Sequence, residues 1–128
     1  FTNLKLSVLL LLKDEKKGHD FVSSLNSEDF DKEYKKDMYL KNFDAIAFEK
    51  QGDTTKRDLV YSELSSVIEK YLQKKSSDKE AYMDLFYTKV KFQTKTEVIK
   101  EIDSIYKDRI RDNNFVESVK QTIESLPE

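Results

Sequence analysis

Apolar residues recur along this chain at helical spacing, and the cleanest run lies near its middle. Leu59, Val60, Leu64, Val67, Ile68, Tyr71 and Leu72 fall on one stripe, with Lys56, Arg57, Glu63, Glu69 and Lys70 largely off it. The pattern predicts a long amphipathic helix. Lys74-Lys75 ends it, and Ser76-Ser77-Asp78 starts the next. Further on, Val98, Ile99, Ile102, Ile105, Tyr106 and Ile110 predict a helix capped by Thr94 or Thr96. Asp112-Asn113-Asn114 breaks that helix. Phe115, Val116, Val119, Ile123 and Leu126 predict a last one, closed before Pro127.

The first half is less regular. Leu4 to about Lys17 is predicted as one helix, ending at Gly18 behind two lysines. A short element follows from Asp20, as N-cap, to Leu25. A third helix is predicted from Ser27 to about Glu49, carrying Phe30, Tyr34, Met38, Ala45 and Phe48, and Gln51-Gly52-Asp53-Thr54 is the clearest linker. Two segments fit either period. Leu4, Leu6, Val8 and Leu10 alternate as in a strand, and so do Phe86, Thr88, Val90, Phe92 and Thr94, which are strand-forming types. The expected fold class is all-α: a compact bundle of five to seven amphipathic helices in a single domain over residues 1–128. The alternative is α+β, with a small hairpin from residues 4–10 and 86–94.

Composition narrows the chemistry. Two Gly and one Pro in 128 residues argue against a turn-rich β-sandwich. A net charge of −2 with 38% charged residues lacks the signature of a basic nucleic-acid binder, so nucleic acid is an unlikely partner. The absence of Cys excludes a disulfide framework, a thiolate metal site and a Cys nucleophile. The single His19, expected in a turn, excludes multi-His metal sites. With two glycines there is no phosphate-cradling loop. No cofactor and no metal are therefore expected. Glu97/Glu101 and Asp108/Asp112 are carboxylate pairs at helical spacing, but no Glu-x-x-His motif supports them. The longest apolar run, Val8-Leu9-Leu10-Leu11-Leu12, falls well short of the roughly 20 residues of a membrane span. The lack of Cys suits the cytoplasm and equally the mature part of an exported protein. The chain begins at Phe1 rather than Met, which reads as a processed form or a piece of something longer.

The aromatic count is the remaining signal: eight Phe and seven Tyr. Tyr39 and Tyr61 sit off the main apolar stripes and are expected at the surface, where Tyr is a frequent interface anchor. Tyr87, Lys89, Lys91 and Phe92 interleave aromatic and basic side chains. These six are the expected partner-binding residues. The expected function is a non-enzymatic protein-interaction domain, such as an inhibitor, an immunity-type protein, an adaptor or an exported helical binding protein. Its partner would be another protein, or a second copy of the chain. The alternatives are a weak nucleic-acid-binding domain using residues 86–95, and an enzyme working with carboxylates alone.

Overall fold

The structure, a computed structural model, describes residues 2–127. Among these residues every regular element is helical. The elements are α1 (Thr2–Leu11), α2 (Glu15–Ser23), a 3-10 turn (Ser27–Asp29), α3 (Lys35–Lys50), α4 (Thr54–Lys74), α5 (Lys79–Lys89), α6 (Lys95–Glu101), a π-helical turn (Ile102–Tyr106), α7 (Lys107–Ile110) and α8 (Asn113–Ser125). Packing divides the chain into two compact units, Phe1–Val67 and Ile68–Glu128, with the division inside α4 rather than at Gly52.

Three junctions use one device. A residue in the left-handed conformation ends a helix, and the Asp after it caps the next. Lys13 (φ 53°) is the first of these residues. Its N–H donates to the Leu10 carbonyl and that of Asp14 to the Leu9 carbonyl, both at 3.0 Å. That is the Schellman pattern of a helix end. Asp14 then accepts from the Lys17 N–H and opens α2. Gly52 (φ 74°) closes α3 in the same way, and Asp53 accepts from the Lys56 N–H. Arg111 (φ 56°) closes α7, and Asp112 accepts from the Phe115 N–H at the head of α8. Glycine adopts this conformation freely; for Lys13 and Arg111 it costs on the order of 1 kcal/mol each.

Several expected boundaries shift for local reasons. The helix expected over Leu4 to Lys17 is cut at Lys13. Gly18 is no terminus but a buried position inside α2. A Cβ there would stand 2.2 Å from the Phe43 ring, so the missing side chain is what lets α2 and α3 approach. Asp20 likewise lies inside α2 and caps nothing there. The helix expected from Ser27 starts at Lys35. Asp29 folds back to accept from the Asn26 N–H at 2.8 Å, and the chain leaves the turn extended at Phe30 (φ −109°, ψ 148°). The Phe30 ring then joins Leu6, Leu9, Val22, Phe43 and Ile46 in the core of the first unit.

The hairpin alternative is not what forms. Residues 4–10 lie in α1, where Leu6 and Leu9 are the buried pair, three apart as a helix requires. In α5, Tyr82, Leu85 and Phe86 are buried at the same helical offsets, and the chain turns at residues 90–93. In both places polar residues alternate with apolar ones over a short stretch, but the buried positions follow the helical offsets.

The second unit is built around rings. Phe86 and Tyr82 meet Tyr106 edge-on, with centroids 5.2 and 6.2 Å apart. Val98, Ile102 and Tyr106 follow one another at intervals of four and are all buried. In an α-helix of about 3.6 residues per turn such a stripe drifts away from the core. The π-helical turn removes the drift: the Lys107 N–H reaches the Ile102 carbonyl five residues back. On α8, Val116, Val119 and Ile123 complete the core.

Candidate functional site

α1 is apolar on more sides than one unit can cover. Leu6 and Leu9 are buried and Leu10 is partly so. On the outer side Leu4 is 68% exposed, Val8 45% and Leu11 83%, at offsets of four and seven residues, and Leu12 adds 68% just past the helix. Isolated exposed apolar residues are ordinary, but a run of four along one helix is an unpartnered face. Residues 1–13 contain Lys5 and Lys13 and no acid, and Lys13 pairs with Glu49 of α3 at 3.5 Å. The Lys5 ammonium lies over the Phe21 ring, 4.2 Å from its centre. The sequence held the signal in plain form, because five consecutive apolar residues cannot share one side of a helix.

The six residues expected at a partner surface fare differently. Tyr61 is corrected: it is only 4% exposed, and burial raises the pKa of its hydroxyl. Tyr39 is half-buried, its ring 5.9 Å from that of Phe30 and packed on the core of the first unit. Both widen a helix's buried side. Tyr87 and Lys91 are exposed, and Phe92 is half-buried. Lys89 is held inward. Its Nζ donates to Glu101 at 2.9 Å, and its side chain is 14% exposed. Phe86 is buried. The interleaving read in residues 86–95 is therefore not presented as one strip.

His19 is also corrected. It lies within α2, and its Nε2 is 3.5 Å from an oxygen of Asp44 on α3. Ser23 Oγ is 3.4 Å from the other ring nitrogen. The group borders a cavity of about 300 Å³ lined also by Glu15, Phe43 and Ala47. Both distances are at the outer limit of hydrogen bonding. Both side chains are nearly half exposed, so the contact contributes at most about 1 kcal/mol between α2 and α3. Nothing in the local sequence announces Asp44 as the partner.

The carboxylate pairs are drawn into structural work. Glu97 closes a capping box with Thr94, while Glu101 accepts from Lys89 and Gln93. Asp112 caps α8 and pairs with Lys79 at 2.6 Å, which holds its carboxyl below the usual range. Among the described residues no group of three or more His, Asp or Glu side chains has the arrangement of a metal site, and no helix is long and apolar enough to cross a membrane.

A second cavity, of about 520 Å³, belongs to the second unit. It is lined by Ser76 and Ser77 before α5 and by residues 108–111 at the end of α7. Arg109 there pairs with Glu69 at 3.3 Å and lies 5.1 Å from the centre of the Tyr106 ring. Burial, and then the Glu69 carboxylate, push the Tyr106 hydroxyl far above the ordinary tyrosine range.

Comparison with protein-family models, with curated proteins and with solved structures finds no match for this chain.

Proposed function

We propose that the chain is a non-enzymatic protein-interaction domain whose contact surface is the outer face of α1. The observation that carries this reading is the exposure of Leu4, Val8, Leu11 and Leu12 on one side of an otherwise packed helix. Water against such a face is costly, and removing it by docking gains roughly 25 cal/mol per Å² of apolar surface covered. The partner is a protein that lays an apolar helix face of its own along α1. Lys13 is already paired with Glu49 at 3.5 Å, which leaves Lys5, with no acid in residues 1–13, as the charge an acidic side chain on the partner's rim would meet. Tyr87 and Lys91 stay outside this surface.

The test compares the parent with Leu4→Asp/Leu11→Asp. Both residues are exposed, so the melting temperature should change little. Both proteins are tagged and incubated with extract of the source organism at physiological salt. A stoichiometric protein retained by the parent, lost by the variant and bound again when purified would support the reading. Retention of the same proteins by both, or binding of the parent only to itself or to lipid vesicles, would overturn it.

A further inference from the structure

The cavity between the α4–α5 turn and the end of α7 has the chemistry of an anion site. Ser76 and Ser77 line the cavity, and among the described residues neither hydroxyl has a hydrogen-bond partner. Arg109 and Arg111 line it as well. Arg109 is anchored by Glu69 and stacked near Tyr106, which fixes its guanidinium. Arg111 donates through Nε only to the Asp108 backbone carbonyl, at 3.3 Å, and has no carboxylate partner among the described residues.

The surrounding charge points the same way. Residues 74–79 and 107–112 hold Lys74, Lys75, Lys79, Lys107, Arg109 and Arg111 against Asp78, Asp108 and Asp112; with Glu69 pairing Arg109, and Glu80 next in the chain, the balance is six to five, in a chain whose net charge is −2. Two of those acids are already engaged: Asp78 by the Tyr71 hydroxyl and Asp112 by Lys79. Asp108 lines the cavity itself and opposes an anion. The volume of about 520 Å³ lies in the range of roughly 300–1,000 Å³ in which proteins seat small organic ligands. Ile110 supplies an apolar wall. A bare tetrahedral anion would leave that wall unused.

We propose that this cavity binds a small phosphomonoester, its phosphate held by Arg111, Arg109 and the hydroxyls of Ser76 and Ser77, with its organic part against Ile110. Guanidinium and hydroxyl donors at one place match phosphate oxygens, and charge-assisted bonds of this kind are the strong ones. None of the binding groups belongs to α1, so the site is independent of the proposed partner surface.

The experiment is a titration of the whole chain with glycerol phosphate and, separately, with inorganic phosphate. It is read by backbone amide resonances at positions 76, 77 and 111. Saturable shifts confined to these positions, with the monoester bound more tightly than inorganic phosphate, are expected. Arg111→Gly is the decisive variant. It removes the guanidinium but relieves a left-handed backbone, so the protein should keep or gain stability while affinity falls roughly tenfold or more. Asp108→Asn should tighten binding, and Leu11→Asp should leave it unchanged. Absence of a saturable shift, tighter binding of inorganic phosphate than of the monoester, or an Arg111→Gly protein that binds like the parent would each overturn the proposal.

Discussion

The two compact units solve the same packing problem with different materials. The first, Phe1–Val67, is closed by a ring set into a glycine, and it leaves one of its helices apolar on the outside. The second, Ile68–Glu128, brings the rings of Tyr82, Phe86 and Tyr106 together and also buries Val98 of α6 and Val116, Val119 and Ile123 of α8. Ile105 and Tyr87 are its exposed large apolar residues among those described. The contrast separates two meanings of hydrophobicity. In α8, Val116, Val119 and Ile123 are spaced for one face, and that face is buried. In α1 the apolar residues exceed one face, and the excess stands in water. An amphipathic stripe reports a core; an apolar surplus reports a second contact.

The sharpest way to break this contrast is to truncate one residue of each kind. Ile123→Ala empties a fully buried position and should cost about 3 kcal/mol of unfolding free energy, whereas Leu11→Ala, at a position in solvent, should stay within about 0.5 kcal/mol of the parent. Denaturant titration of both proteins measures the difference. Equal losses would mean that the outer face of α1 is already packed.

A smaller effect tests how the first unit is closed. Gly18→Ala drives a methyl group into the Phe43 ring and should destabilise by about 2 kcal/mol. Phe43→Leu in the same protein should recover part of that loss, since a shorter side chain vacates the space. A Gly18→Ala protein as stable as the parent would show that α2 and α3 can separate without penalty.

The smallest effect belongs to the rings of the second unit and appears only in alkali. Burial and Glu69 raise the pKa of Tyr106 in the folded state above its ordinary value near 10. Below pH 10 both folded and unfolded chains keep this proton, and the stabilisation is fully present. Above it the unfolded chain releases the proton first, and stability falls as pH rises, by at most about 1.4 kcal/mol per pH unit for this group. Tyr106→Phe should flatten that limb between pH 10 and 11 and leave the neutral region little changed. An unaltered alkaline slope would assign the effect to Tyr82 or Tyr61, which are raised in the same direction.

The fold class was legible because the helical stripes of α4 and α8 coincide with observed elements, and because Ser76-Ser77-Asp78 starts α5 as expected; the end of α5, with its strand-forming residue types, fitted either period. The junctions near the start were not legible. Lys13 takes a conformation that its side chain does not advertise, and Gly18, the residue that does advertise an ending, is used for close packing instead. Site residues were harder still. Tyr61 looks off the apolar stripe, yet it stands three, seven and eleven residues before Leu64, Ile68 and Leu72, on the one buried face of α4. The Ser76, Ser77 and Arg111 cluster joins turns more than thirty residues apart, and no local pattern connects them. The face of α1 could have been found by asking how many leucines one side of a ten-residue helix can hold.

The π-helical turn at Ile102–Tyr106 closes over one residue more than the α-helical turns on either side of it. Removing a residue from positions 103–105 would let residues 95–110 wind as a plain α-helix. Val98 and Tyr106 would then stand seven residues apart, close to two turns of a plain α-helix, and would still share a face. The wide turn is thus an extra residue absorbed without a change of phase: this stretch can give that residue back, whereas a further insertion with no second wide turn would swing Val98 and Tyr106 apart by about 100°.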